Sequence, residues 1–247
     1  MKKIISFIFV LSTLMFLTPD RNAHAQEHGG MEEISSVHNY IEYLSKKSEN
    51  DESAKEVLDQ FLELSKEDQK LFVQALEPQN YLRLINAGQN NPDKNIAVEL
   101  DNGQKINMQL NLITEQDPFT PFTPYATTWK VTTPWAKVDM VILGITTSTF
   151  QTRMILQTDG VHALQVYDIE KKYVNHNPGV WTTDVGYTNF YVSSGYGHGG
   201  YQWKLSSTGT LGGLSSNLDM IIKANHTKQY FKVDSGRDSW AIGWTQF

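Results

Sequence analysis

The stretch TFQTRMILQTDGVHALQVY, residues 149–167, decides the fold class of this chain. It holds two runs rich in β-branched, aromatic and other apolar residues, at 149–157 and 161–167. Such runs are typical of β-strands. Asp159-Gly160 between them is a turn signal. The stretch therefore predicts two antiparallel strands joined by a short turn.

Further strand-like runs occur on both sides of this stretch, from residue 127 to the end of the chain, and none of this region has a helical stripe. Turn residues such as Asn177-Pro178-Gly179 separate the runs. Many short strands between turn signals predict an antiparallel β-sandwich or barrel, and the missing crossover helices exclude a parallel α/β fold. The additional runs lie at residues 138–145, 180–189, 201–206, 220–224, 230–233 and 240–245.

The preceding part of the chain has the opposite character. Residues 26–125 contain 18 acidic and 8 basic residues, whereas residues 126–247 contain 8 acidic and 10 basic residues and all 6 tryptophans. Such a charge contrast within one chain favours two kinds of structure. We therefore expect an acidic helical region at 26–88 and an aromatic-rich β domain at 126–247.

Helical spacing supports the first of these regions. Ile34, Val37, Ile41 and Leu44 recur every three or four residues, as on one face of an amphipathic helix. A second stripe follows at 57–64, and residues 65–68 resemble a capping box ahead of a third helix. Pro78 can begin a fourth short helix, which we expect to stop at Gly88. The pattern predicts a small bundle from about residue 31 to 87.

A hairpin and a linker are expected at residues 89–125. Apolar residues alternate at 96–100 and again at 106–110, on either side of Asn102-Gly103. This arrangement is the strongest short-range signal for a β-hairpin. Residues 117–125, DPFTPFTPY, have a proline at every third position and favour an extended strut. The expected fold class is thus α+β by domain, a helical bundle followed by a mainly antiparallel β-sandwich or barrel.

Residues 1–25 have the three parts of a secretory signal. Lys2 and Lys3 precede an apolar run at 4–17, and Ala23-His24-Ala25 provides a small-x-small cleavage site. The run is too short for a bilayer span, which needs about 20 residues. We therefore expect a secreted, extracellular and bacterial protein that starts at Gln26, without a stable membrane anchor and without a nucleic-acid partner.

Several common chemistries leave no signature in the chain. It contains no cysteine, which excludes thiol nucleophiles and cysteine-ligated zinc. Its 7 histidines do not form a helical zinc-protease pair, and no serine lies in a Gly-x-Ser-x-Gly turn. Asp139 and Asp184 are the only strand carboxylates that merit attention for glycoside hydrolysis, and nothing pairs them. We name no catalytic residue, metal ligand or cofactor, and favour a non-enzymatic role.

The segment GYGHGG, residues 195–200, supplies the candidate ligand site. It matches a dinucleotide-binding string, but a strand-like run follows it instead of the helix which that motif needs. One interpretation is a plain loop between strands. The other is a ligand loop with an aromatic mouth, formed by Tyr196, His198, Tyr201 and Trp203.

Three functional classes follow from these patterns. The leading one is a secreted binding protein whose β-sandwich recognises a carbohydrate, an envelope polymer or a protein. A secreted toxin or pore former is the second, because residues 146–158 are rich in Ser and Thr around apolar residues and resemble an insertion strand. A secreted hydrolase with an acidic pro-region is the third.

Overall fold

The computed structural model describes residues 36–90, 94–115, 128–207, 215–234 and 245–246. All of them belong to one compact unit that spans residues 31–247. Three predicted segments lie outside the described residues: the signal segment with its cleavage site before Gln26, the proline-rich strut at 117–125, and residues 240–244 of the 240–245 run.

Four helices come first, as the apolar spacing predicts. They are α1 (Val37–Ser48), α2 (Glu52–Glu63), α3 (Lys66–Leu76) and α4 (Pro78–Asn90). Side-chain oxygens of Ser36, Asp51 and Ser65 cap the first three by accepting backbone N–H groups of the first turn. Such caps satisfy donors that have no partner within the helix.

The fourth helix does not stop at Gly88, contrary to the sequence-based expectation, but continues to Asn90. Gly88 faces strand β2 (Lys105–Glu115), where a Cβ atom would lie 2.8 Å from the Cβ of Leu110. The glycine is therefore needed for close packing of the helix on the sheet.

The first sheet contains six strands among the described residues. The hairpin predicted around Asn102-Gly103 is present, and joins β1 (Ile96–Glu99) to β2 with Gly103 at φ +78°. Strand β2 pairs with β4 (Trp135–Ile142), so the hairpin is part of the sheet. Strand β5 (Ile145–Thr158) pairs with β4 and β3 (Trp129–Thr132) along one edge and with β6 (Ala163–Asn175) along the other.

The second sheet is antiparallel and has the order β11-β10-β9-β8-β7. Its outermost strand on one side is β7 (Val180–Ser193), which forms a long hairpin with β8 (Tyr196–Ser207). The remaining strands are β9 (Ser215–Ala224), β10 (Gln229–Asp234) and β11 (Thr245–Gln246). Strands β5 and β6 pack against β8, which makes the two sheets a sandwich.

One hydrophobic core connects the helices with both sheets. Tyr40, Phe61 and Phe72 meet within the helical layer, with ring centres 5.0 to 5.7 Å apart. Tyr81 reaches from α4 to β5, where its hydroxyl lies 2.6 Å from Oγ of Ser148. No helix in the described ranges is both long and apolar enough to cross a bilayer.

A buried polar junction fastens the helices to the turn between β6 and β7. The hydroxyl of Tyr40 donates to the backbone oxygen of His176, and Nζ of Lys47 donates to that of Asn175 at 2.7 Å. The side-chain amide of Asn177 donates to the backbone oxygen of Leu76 at 3.0 Å. These bonds join α1 and α3 to the point where the chain passes from the first sheet to the second.

Candidate functional site

Strand β8 carries all four candidate ligand residues, but on opposite faces. Side chains alternate along a strand, so Tyr196 and His198 point to one face and Tyr201 and Trp203 to the other. Tyr196 and His198 are half-buried, whereas Tyr201 and Trp203 are buried. The structure therefore separates the four side chains into two pairs.

The inward pair belongs to the core between the sheets. The ring centre of Trp203 lies 5.4 Å from that of Phe150 and 5.0 Å from that of Tyr201. Nζ of Lys171 donates to the Tyr201 hydroxyl at 2.5 Å and forms an ion pair with Asp184. These contacts place the two rings in the core, away from the solvent-facing surface of the sheet.

The glycines of segment 195–200 also have a packing role. The expected loop is limited to Gly195, and the segment from Tyr196 onward forms the start of β8. A Cβ atom on Gly197 would lie 2.4 Å from Cδ2 of Leu156, and one on Gly199 would lie 2.8 Å from Cβ of Phe190. Glycine at these inward positions lets the backbone of β8 approach neighbouring side chains closely.

The outward pair belongs to a row of aromatic and basic side chains across the second sheet. His198 pairs with Tyr191 on β7 and with Lys223 on β9, and Lys223 pairs with Tyr230 on β10. Residues directly opposite each other in a sheet share a face. We call this row, together with Tyr196, the outer aromatic face.

The members of the outer aromatic face contact one another. The rings of Tyr191 and His198 stack, with centres 4.9 Å apart and planes inclined by 5°. Nζ of Lys223 lies 4.6 Å from the ring centre of Tyr196 and 5.8 Å from that of Tyr230. The lysine is therefore held over two tyrosine rings, the geometry of a cation–π interaction.

Burial lowers the pKa of His198, and the positive charge of Lys223 lowers it further. The imidazole is therefore mostly neutral at pH 7, since even an unperturbed histidine has a pKa of about 6.5. Lys223 then provides the positive charge of the outer aromatic face. A surface of stacked rings with one cation can bind flat apolar groups and an adjacent anion.

Sequence reasoning identified Tyr196 and His198 but missed Tyr191, Lys223 and Tyr230. Each missed residue lies on a different strand, up to 32 positions away from His198. Strand alternation could have separated Tyr196 and His198 from Tyr201 and Trp203 once the segment was assigned to a strand. Cross-strand neighbours depend on register, which one sequence does not contain.

A second polar cluster, around Ser53 and His176, has the residue types of a hydrolase. Oγ of Ser53 lies 3.1 Å from Nε2 of His176, and Nζ of Lys47 lies 3.2 Å from Nδ1. A protonated Lys47 only donates, so Nδ1 accepts and Nε2 carries the proton. His176 then donates to the Ser53 hydroxyl, which donates to Asp51 at 2.5 Å.

This direction of hydrogen bonding is opposite to that of a serine hydrolase, where histidine accepts the serine proton. Backbone N–H groups at the start of α2, which could stabilise an oxyanion, already donate to Asp51 from Ser53 and Ala54. The cluster is a structural link between the helices and the buried His176.

The two strand carboxylates singled out from the sequence lie in different sheets, Asp139 on β4 and Asp184 on β7. Asp139 accepts from Thr149 at 2.6 Å and pairs with Lys137, whereas Asp184 pairs with Lys171. Each therefore has its own basic partner. Within the described ranges, His, Asp and Glu form no group of three that could hold a metal ion.

The outer aromatic face is thus the most accessible collection of binding groups among the candidates. Its position depends on the register of β7, β8, β9 and β10, and its rings surround one lysine.

Comparison of the chain with protein-family models, with characterised proteins and with solved structures finds no match.

Proposed function

We propose that this protein is a non-enzymatic binding protein that recognises a carbohydrate polymer carrying negative charge through the outer aromatic face. The observation that carries the proposal is the solvent-facing row of Tyr191, His198, Lys223 and Tyr230. Tyrosine rings stack on the apolar faces of sugars, and a lysine can pair with carboxylate or phosphate groups.

Geometry favours this surface over a catalytic one. Tyr191 is 55% exposed and lies on the outermost strand, where a polymer chain can reach its ring. An anionic ligand would compete for Lys223 with the two rings beneath it, whose attraction is of order 1 kcal/mol at exposed sites. Direct pairing with an anion is therefore compatible with the observed position of the lysine.

The pore-forming alternative receives less support. Residues 146–158 fall within β5, which is hydrogen-bonded along both edges. Phe150, Met154 and Leu156 on this strand are buried in the core. Insertion of this strand into a membrane would therefore require the first sheet to come apart.

Replacing Tyr191 with alanine should weaken binding to an anionic polysaccharide about fivefold. One stacking ring contributes about 1 kcal/mol, which corresponds to that change in Kd. Calorimetric titration against a panel of neutral and anionic polysaccharides measures the effect. Lys223→Gln should reduce affinity for the anionic members more than for the neutral ones.

Tyr167→Ala is the matched control for this experiment. Tyr167 lies on β6 in the other sheet and is 48% exposed, close to the value for Tyr191. It should leave the affinity unchanged. Equal effects of both substitutions, or binding that persists at full strength in Tyr191→Ala, would contradict the proposed site.

We also propose that the protein is secreted, since residues 1–25 combine a basic start, an apolar run and an Ala-x-Ala end. Mass spectrometry of the medium of an expressing bacterial culture should find a chain that starts at Gln26. A chain that stays with the cells and retains Met1 would contradict the proposal.

A further inference from the structure

The turns of two long β-hairpins lie side by side at one end of the sandwich. The turn at 159–162 joins β5 to β6, and the turn at Ser194-Gly195 joins β7 to β8. The backbone N–H of Ala163 donates to the backbone oxygen of Gly195 at 2.9 Å. The ring of His162 lies against Gly195, where a Cβ atom would be only 2.6 Å from it.

A third turn, at 225–228 between β9 and β10, lies beside them. Nδ1 of His226 is 2.9 Å from Oγ1 of Thr158, the last residue of β5. The ring of His226 is 6.0 Å from that of Trp129, at the start of β3. We call the end of the sandwich formed by these three turns and Trp129 the apolar tip.

Large apolar side chains are exposed at the apolar tip. Four of them lie within three residues of a turn or at the strand end beside it. They are Val161 (55% exposed), Leu164 (47%), Trp129 (40%) and Val192 (38%). Single exposed apolar residues are ordinary on protein surfaces, but a cluster from separate strands marks an interaction site.

The charges around the apolar tip are mostly positive. Lys130 follows Trp129, Lys228 lies in the 225–228 turn, and Lys223 lies two residues before that turn. The acidic residue within the turns is Asp159, which accepts the backbone N–H groups of Val161 and His162. The three lysines outnumber this one carboxylate, so the charge of the apolar tip complements that of a negatively charged partner.

The apolar tip also lies far from the helices. Strand β5 runs from the helical layer, where Ser148 contacts Tyr81, to the tip at Thr158. Ten residues of strand at about 3.3 Å each span about 33 Å. The tip can therefore approach an extended surface without contact by the helices.

We infer that the apolar tip docks on the surface of a lipid bilayer that contains anionic headgroups. Apolar side chains at the turns can enter the interfacial region, and tryptophan prefers that depth. Lysines around them attract anionic lipids electrostatically. This surface adjoins the outer aromatic face, and Tyr196 and Lys223 at their border are left unchanged in the test.

The test is sedimentation of the secreted form with vesicles of phosphatidylglycerol and phosphatidylcholine in equal parts. The tip variant is Val161→Glu combined with Leu164→Glu, and its control is Leu62→Glu on α2, where Leu62 is 51% exposed. We expect the tip variant to lower the partition coefficient at least tenfold and the control to leave it unchanged. Circular dichroism should confirm that both variants stay folded.

A charge series completes the experiment. Lys228→Glu at the tip should weaken binding more than Lys70→Glu on α3, and vesicles of phosphatidylcholine alone should bind less than the mixed vesicles. Equal loss in the tip and control variants, no binding by the unmodified protein, or equal binding to both kinds of vesicle would each overturn the inference. Light scattering that shows a dimer dissociated by the tip variant, without vesicle binding, would identify a second copy as the partner instead.

Discussion

Replacing Trp203 with alanine should lower the free energy of unfolding by about 3 to 5 kcal/mol. Trp203 is fully buried, and its ring packs against those of Phe150 and Tyr201 between the two sheets. Truncation would remove these contacts and leave a cavity that the sheets can only partly close. Urea denaturation measures the loss, which for a unit of this size should lower Tm by about 10 °C.

Tyr196→Ala is the comparison within the same strand. Tyr196 is half-buried on the outward face, so its truncation should cost only about 1 kcal/mol. The folded fraction of Trp203→Ala should bind polysaccharide normally, whereas Tyr196→Ala should bind it more weakly. Similar losses of stability in the two variants would show that the assignment of faces along β8 is wrong.

Strand β8 illustrates how far the sequence could predict the fold. The alternating runs predict antiparallel strands, and the structure contains two antiparallel sheets behind four helices. The glycines at 195–200 instead favoured a loop, because glycine is rare within strands. Leu156 and Phe190 explain Gly197 and Gly199, since their side chains occupy the space that a Cβ atom would need. Such contacts arise from tertiary packing and leave no local pattern in the sequence.

The candidate site shows a related limit. The aromatic content of the segment identifies Tyr196 and His198, but Lys223 is a single lysine in an ordinary strand. Its position over Tyr196 results from the pairing of β8 with β9. Once the register is known, the alternation of faces fixes the whole row.

His176 is the residue whose role the sequence least indicates. It precedes the turn residues Asn177-Pro178-Gly179, as a solvated loop histidine would, yet it is buried. Its surroundings come from Lys47 and Ser53, more than 120 positions away along the chain. No local pattern could assign this environment, because the helices and the sheets meet only in the folded protein.

The position of His176 makes stability depend on pH. Burial lowers its pKa to about 4, the charge of Lys47 contributes to this shift, and Asp51 opposes it. A histidine in the unfolded chain has a pKa of about 6.5. Between these values the unfolded chain binds a proton that the folded protein does not. The free energy of unfolding should therefore fall as the pH decreases from about 6.5 to about 4.

The expected loss is about 3 kcal/mol, since one pKa unit corresponds to about 1.4 kcal/mol. Urea denaturation at pH 7 and at pH 4.5 should show most of this loss in the unmodified protein. In His176→Gln the free energy of unfolding should decrease less between the two pH values. His162→Gln, which changes an exposed histidine, should keep the full decrease. Titration of Asp51 does not account for the fall in stability between pH 6.5 and pH 4, because the pKa of Asp51 lies below the usual value of 3.8. Burial raises this pKa, but the hydrogen bond from Ser53 and the charge of Lys47 outweigh that effect. An undiminished decrease in His176→Gln would mean that other groups titrate, and that the buried histidine does not control the acid sensitivity of the junction.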